Sequence, residues 1–182
     1  RLVCAMTANQ QTTTPSEPPA SLVVTSSTRA IKARDGVELS ARIWTSAPAG
    51  HRGVQFFCLP SMERTGREFE TFALQVCRRW QAPVIALDPR GRGNSSSGEL
   101  GYGKDCDDLI DTLTGLGVDH AHFVASGYGG LVTMSLSAAR PGSLLSLAFL
   151  DASPAIDATG LARLQYFLRR YPTHPNRDQA LA

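Results

Sequence analysis

Five consecutive residues, Ala125-Ser126-Gly127-Tyr128-Gly129, have the spacing of a G-x-S-x-G turn, in which a strand runs through very small residues straight into a helix. Such a nucleophile elbow holds its central side chain in a strained, exposed position, ready for attack on a substrate. Here Phe123 and Val124 form the apolar entry. Leu131, Met134, Leu136 and Ala138 give the helical exit, stopped by Pro141. Ala125 and Gly129 are small enough for the outer positions of the turn. The centre, however, is Gly127, which has no hydroxyl to offer.

Nucleophilic catalysis also needs a base within hydrogen-bond reach. His120 and His122 open the elbow strand and are expected at its amino end, roughly 17–20 Å from the turn for a strand of ordinary length. His51 precedes a strand and falls at the same wrong end. His174 lies in a polar tail and reads as a solvated histidine. Ser126 is the neighbouring hydroxyl. Side chains alternate along a strand, so it is expected to face the packing rather than the crevice. Asp151 closes the following strand and is the candidate acid, with capping of the next turn as its structural reading. Asp88 is expected to fix the turn at Arg90-Gly91, and Tyr128 to sit over the crevice.

The elements that would position these residues follow from periodicity. Weak alternation over 28–33, a turn at Arg34-Asp35-Gly36 and renewed alternation over 37–45 predict a hairpin. Short apolar runs at 54–59, 83–88 and 143–151 predict buried strands. Residues 68–80, 107–115 and 159–171 carry apolar side chains at helical spacing. Strands alternating with helices predict an α/β fold with a doubly wound, mostly parallel sheet, preceded by the antiparallel hairpin. The ligand crevice of such a sheet lies outside the carboxyl ends of its strands. Four segments should meet there: 60–64, 88–94, 126–129 and 151–157.

Three stretches then carry a family resemblance. Ala86-Leu-Asp-Pro-Arg-Gly-Arg-Gly-Asn-Ser95 is similar to the D-x-R-G-x-G-x-S loop of the α/β-hydrolases of small esters and carbon–carbon bonds. Leu59-Pro60-Ser61-Met62 followed by Arg67-Glu68-Phe69 resembles their oxyanion loop, and Leu150-Asp-Ala-Ser-Pro154 the opening of their lid. The resemblance covers about residues 29 to 171. It implies that Met62 and Tyr128 supply the backbone N–H groups of an oxyanion hole, and that Gly127 occupies the nucleophile position. Ser61 stands where the family usually has glycine, which crowds that loop. The family's acid and histidine come after its seventh and eighth strands, and this sequence is expected to stop before either. The division implied is a disordered tail over 1–28, an incomplete hydrolase core over 29–157 and the start of a lid helix with a polar tail over 158–182.

The function expected is therefore that of a hydrolase relative without serine-hydrolase turnover, truncated or one half of a split enzyme. Its exposed sheet edge would pair with a second copy or a complementing chain. The alternative is a non-catalytic module holding a small carbonyl compound in the crevice. A further alternative, nucleotide binding, rests on Gly127-Tyr-Gly129-Gly-Leu-Val132 with Asp151 beyond it, but Val132 replaces the third small residue of that fingerprint. No cofactor is expected. The 182 residues, 42% hydrophobic, suit one core. A net charge of +2 without a basic stripe argues against a nucleic-acid partner. No apolar run approaches the roughly 20 residues that span a bilayer. Four scattered cysteines without C-x-x-C read as reduced thiols of a cytoplasmic protein, with no metal site. Met6 is the expected initiator, the apolar run before it being too short for a signal peptide.

Overall fold

The computed structural model describes residues 22–47 and 54–151. The expected helix at 159–171, His51, His174 and the segment 152–157 lie outside the described residues. Six strands form one sheet in the order β1-β2-β4-β3-β5-β6. β1 (Val23–Lys32) pairs antiparallel with β2 (Glu38–Ala47), and β2 antiparallel with β4 (Val84–Asp88). From β4 onward the sheet is parallel, through β3 (Phe56–Leu59), β5 (Ala121–Ser126) and β6 (Leu144–Leu150). The chain therefore has the expected hairpin leading into a parallel α/β sheet. β1 starts at Val23, inside the stretch read as tail, because Val23, Val24 and Thr25 extend the ladder opposite Ala47, Ser46 and Thr45.

Three helices cover the faces. α1 (Glu70–Trp80) follows a 3-10 turn at Gly66–Phe69 and lies on one side. α2 (Tyr102–Gly115) and α3 (Tyr128–Ala139) lie on the other. Strand alternation sorts the core accordingly. Phe57, Leu59, Ile85, Leu87, Phe123 and Ala125 pack with Leu109, Leu113, Val132 and Leu136 of α2 and α3. Cys58, Val84, Ala86 and Val124 pack with Phe69, Ala73, Val76 and Cys77 on the α1 side. All five residues of β4 are buried, which is why its sequence reads as an unbroken apolar run.

α2 begins at Tyr102, a turn and a half before the apolar spacing is legible, because its first turns contribute polar contacts. Its Asp108 receives two hydrogen bonds from Arg90, at 2.7 and 2.5 Å, and Arg90 also reaches Asp35 at 3.0 Å and the Glu99 carbonyl at 2.7 Å. Both members of the Arg90–Asp108 pair are buried, with side chains 1% and 3% exposed. The Asp108 hydrogen bonds push the Arg90 guanidinium further up, so it stays charged. This pair joins the loop after β4 to α2 and to the β1–β2 turn.

Losing one partner of a buried pair strands the other charge, at a cost of about 3–5 kcal/mol. Arg90→Ala is expected to lose that much stability in urea unfolding. Arg90→Met with Asp108→Leu, which removes both charges, is expected to recover most of it. A single variant as stable as the parent protein would show that the pair holds nothing together.

Candidate functional site

The carboxyl ends of β3, β4, β5 and β6 bring three of the four expected segments together, with the start of the fourth beside them. Gly127 joins β5 to α3 at φ 46°, ψ −121°, a combination that side chains other than hydrogen rarely adopt. Its N–H donates to the Leu150 carbonyl at 3.0 Å, and its carbonyl accepts from Gly130 N–H at 3.1 Å. Gly129 is buried against β3. A Cβ there would lie 2.5 Å from the Leu59 carbonyl oxygen, so only glycine lets the helix start so close to the strand. Ala125, before the turn, is fully buried on the α2–α3 side.

Position 127 itself is occupied from across the crevice. A Cβ built on Gly127 would meet the Ser61 Oγ at 2.6 Å and the Ser61 Cβ at 3.1 Å. Gly127 and Ser61, the two residues at which the sequence departs from the pattern it resembles, thus face one another. Ser61 Oγ donates to Glu63 at 3.1 Å. Met62, next in the loop, is half-buried, and its carbonyl accepts from Arg92 Nε at 3.2 Å, which ties the 60s loop to the 90s loop.

Ser126 is turned to the α1 side, as alternation after Ala125 requires, but it is not lost in packing. Its hydroxyl donates to Glu68 Oε1 at 2.5 Å and accepts the Ser61 N–H at 3.0 Å. It also lines a cleft of about 400 Å³ bounded by Glu68, Phe69, Phe72, Val124, Ala148 and Leu150. Glu68 was legible only as the start of a helix and as part of the stretch resembling the oxyanion loop. A single sequence carries no signal for its contact with residue 126, 58 positions away. A second cleft, about 360 Å³ beside Gln55, Pro83 and Val118, opens at the amino ends of the strands, away from these groups.

Tyr128 is not over the crevice. Its hydroxyl donates to Asp105 of α2 at 2.7 Å and its ring meets Tyr102 edge-on, so it closes the seam between α2 and α3. Burial pushes the Asp105 carboxyl up against the opposing effect of this hydrogen bond, and burial together with Asp105 pushes the Tyr128 phenol up. Only the backbone of Tyr128 remains for the crevice. Asp88 pins two segments rather than one turn, accepting from Gly66 N–H at 2.8 Å and Asn94 N–H at 3.0 Å. Asp151 is exposed at φ 51°, and its side chain makes no hydrogen bond among the described residues. His122 lies at the amino end of β5, with Nδ1 2.8 Å from Ser146 Oγ, and His120 is exposed nearby. No group of three or more His, Cys, Asp or Glu able to hold a metal occurs among the described residues. None of the described helices is long and apolar enough to cross a membrane.

No family model matches the sequence. A 3-hydroxybutyrate-oligomer hydrolase of Cupriavidus necator is 26% identical over 115 residues, which is 61% of this chain and 39% of that protein. Among solved structures, an α/β hydrolase from Novosphingobium aromaticivorans superposes with a TM-score of 0.67 at 28% identity, covering 80% of this chain and 50% of that one. An E-2-(acetamidomethylene)succinate hydrolase gives 0.66 at 21% identity, with 80% and 52% covered. The chain spans about half the length of these structures.

Introducing a serine at 127 costs backbone strain of about 1–3 kcal/mol, and the Ser61 hydroxyl must also move. Gly127→Ser is therefore expected to be destabilising. In the Ser61→Gly background the same change should cost about 1 kcal/mol less, within the range of coupling between touching residues. Strictly additive effects in denaturant titrations would mean that Ser61 does not fill the space.

Proposed function

This chain is related to the α/β-hydrolases and has their fold, and from that premise we propose that it lacks serine-hydrolase turnover and keeps the crevice as a binding site for small carbonyl compounds. The observation that carries the reading is the backbone at Gly127. The turn keeps the positive φ of a nucleophile elbow, yet it presents no side chain, and Ser61 takes up the space. In this reading the Met62 and Tyr128 N–H groups remain as donors for a carbonyl oxygen. Residue 127 brings no attacking hydroxyl, the Ser61 hydroxyl that fills the space gives its proton to Glu63, and neither His120 nor His122 is at the right end of its strand.

The magnitudes favour silence over slow turnover. Removing the serine of a catalytic triad costs on the order of a millionfold in turnover. The residual of about 10³–10⁴ over water comes from the oxyanion hole and binding. Ser126 does not replace the lost group: its proton is committed to Glu68, and no imidazole among the described residues is placed to take it.

A second reading, that another chain completes the sheet, is favoured by β6. Its sequence Leu-Leu-Ser-Leu-Ala-Phe-Leu is apolar on both faces, as expected of an interior strand, yet among the described residues it is the last in the sheet, with Leu145 49% and Leu150 46% exposed. The partner would be a second copy or a complementing segment.

Two measurements test these readings. A labelled fluorophosphonate probe is expected to leave the chain unmodified; covalent capture at Ser126 would falsify the first. Light scattering is expected to show self-association that Leu145→Lys abolishes; a clean monomer would sink the second.

A further inference from the structure

Apart from the Ser61 N–H, which Ser126 already accepts at 3.0 Å, the polar groups around Ser126 are acceptors. Ser126 gives its proton to Glu68 and Ser61 gives its own to Glu63, at 2.5 and 3.1 Å. A hydroxyl has one proton and two lone pairs, so once the proton is committed only acceptor capacity remains. The remaining polar atoms there are the carboxylate oxygens themselves. Arg64 pairs loosely with them: its Nε stands 3.9 Å from both Glu63 and Glu68, beyond hydrogen-bond distance, and its side chain is 63% exposed. Glu68 Oε2 has no hydrogen-bond donor among the described residues.

These acceptors sit at one end of the cleft between the start of α1 and the ends of β5 and β6. Apart from Glu68 and Ser126 its lining is apolar: Phe69, Phe72, Val124, Ala148 and Leu150. The Glu68 side chain is only 22% exposed, and its charge is felt within the core, where it adds to burial in pushing the Cys58 thiol up. A half-buried carboxylate facing apolar walls of about 400 Å³ is complementary to a cation on a hydrocarbon body. An ester or ketone, which brings only acceptors, would leave Glu68 Oε2 without a hydrogen-bond donor.

We propose that this cleft binds a small apolar primary amine in its protonated form, the ammonium on Glu68 and the hydrocarbon against Phe72 and Leu150. The site lies on the α1 face of β5, so it is independent of what the Gly127 crevice holds. Phenethylammonium and methyl phenylacetate, similar in size, form the test pair, titrated into the full chain by calorimetry. Hydrogen bonds to a charged group favour the amine by at least about tenfold. Glu68→Gln is expected to remove that preference, and Leu150→Lys, an exposed change that leaves Glu68 in place, to repel the amine. Equal or tighter binding of the ester, an amine preference that survives both substitutions, or no binding of either compound would overturn the proposal. The fluorophosphonate result does not bear on it.

Discussion

Ser126 Oγ is held between the Glu68 carboxylate and the Ser61 amide, and two neighbouring turns meet a strand end 58 and 65 residues further on through that one oxygen. The turn after β3, the 3-10 turn before α1 and the end of β5 are thereby fixed relative to one another. Ser61 can stand over Gly127 only because its own backbone is tied down in this way. A hydrogen bond to a carboxylate is short and worth roughly twice a neutral one, so the tie holds these turns firmly to the end of β5. It gives Ser126 a positioning role that fits its place on the strand face opposite Ala125.

Two further constraints hold the same edge. Asp88 collects amide protons from Gly66 and Asn94, and Ser95 Oγ returns a bond to the Asp88 carbonyl at 2.6 Å. Arg90 then fixes the loop to α2 through Asp108. The D-x-R-G-x-G-x-S stretch is thus a scaffold in this protein: its aspartate, arginine and last serine all bond inward. The loop is braced by buried charge and amides, and rigidity of that kind leaves the neighbouring 60s loop as the place where side chains face the crevice.

The crevice and the α1-side cleft lie on either side of the end of β5 and differ in chemistry. Around Gly127 the backbone amides of Met62 and Tyr128 would offer donors. Around Glu68 the side chains offer acceptors. One strand end can carry both because successive side chains of β5 point to opposite faces, with the turn between them. The absence of a side chain at 127 bears on the first environment and not on the second.

Local pattern was enough for the architecture. The apolar runs, their spacing and the small residues at 125–129 settle the parallel sheet, its leading hairpin and the turn at 127, because burial on both faces of a strand is written into its composition. It also settles that residue 127 brings no hydroxyl. Contacts between distant residues were not legible. Glu68 reads as the start of a helix, Arg90 as part of a loop motif whose turn Asp88 fixes, Tyr128 as a crevice wall, and Ser61 and Gly127 as two separate departures from the resembled pattern. Each assignment depends on which residues the sheet order β4-β3-β5 sets side by side. Only tertiary structure puts the Ser61 oxygen in the space beside Gly127 and a carboxylate against Ser126, because neither short-range propensity nor periodicity encodes a distance across 58 or 66 residues of chain.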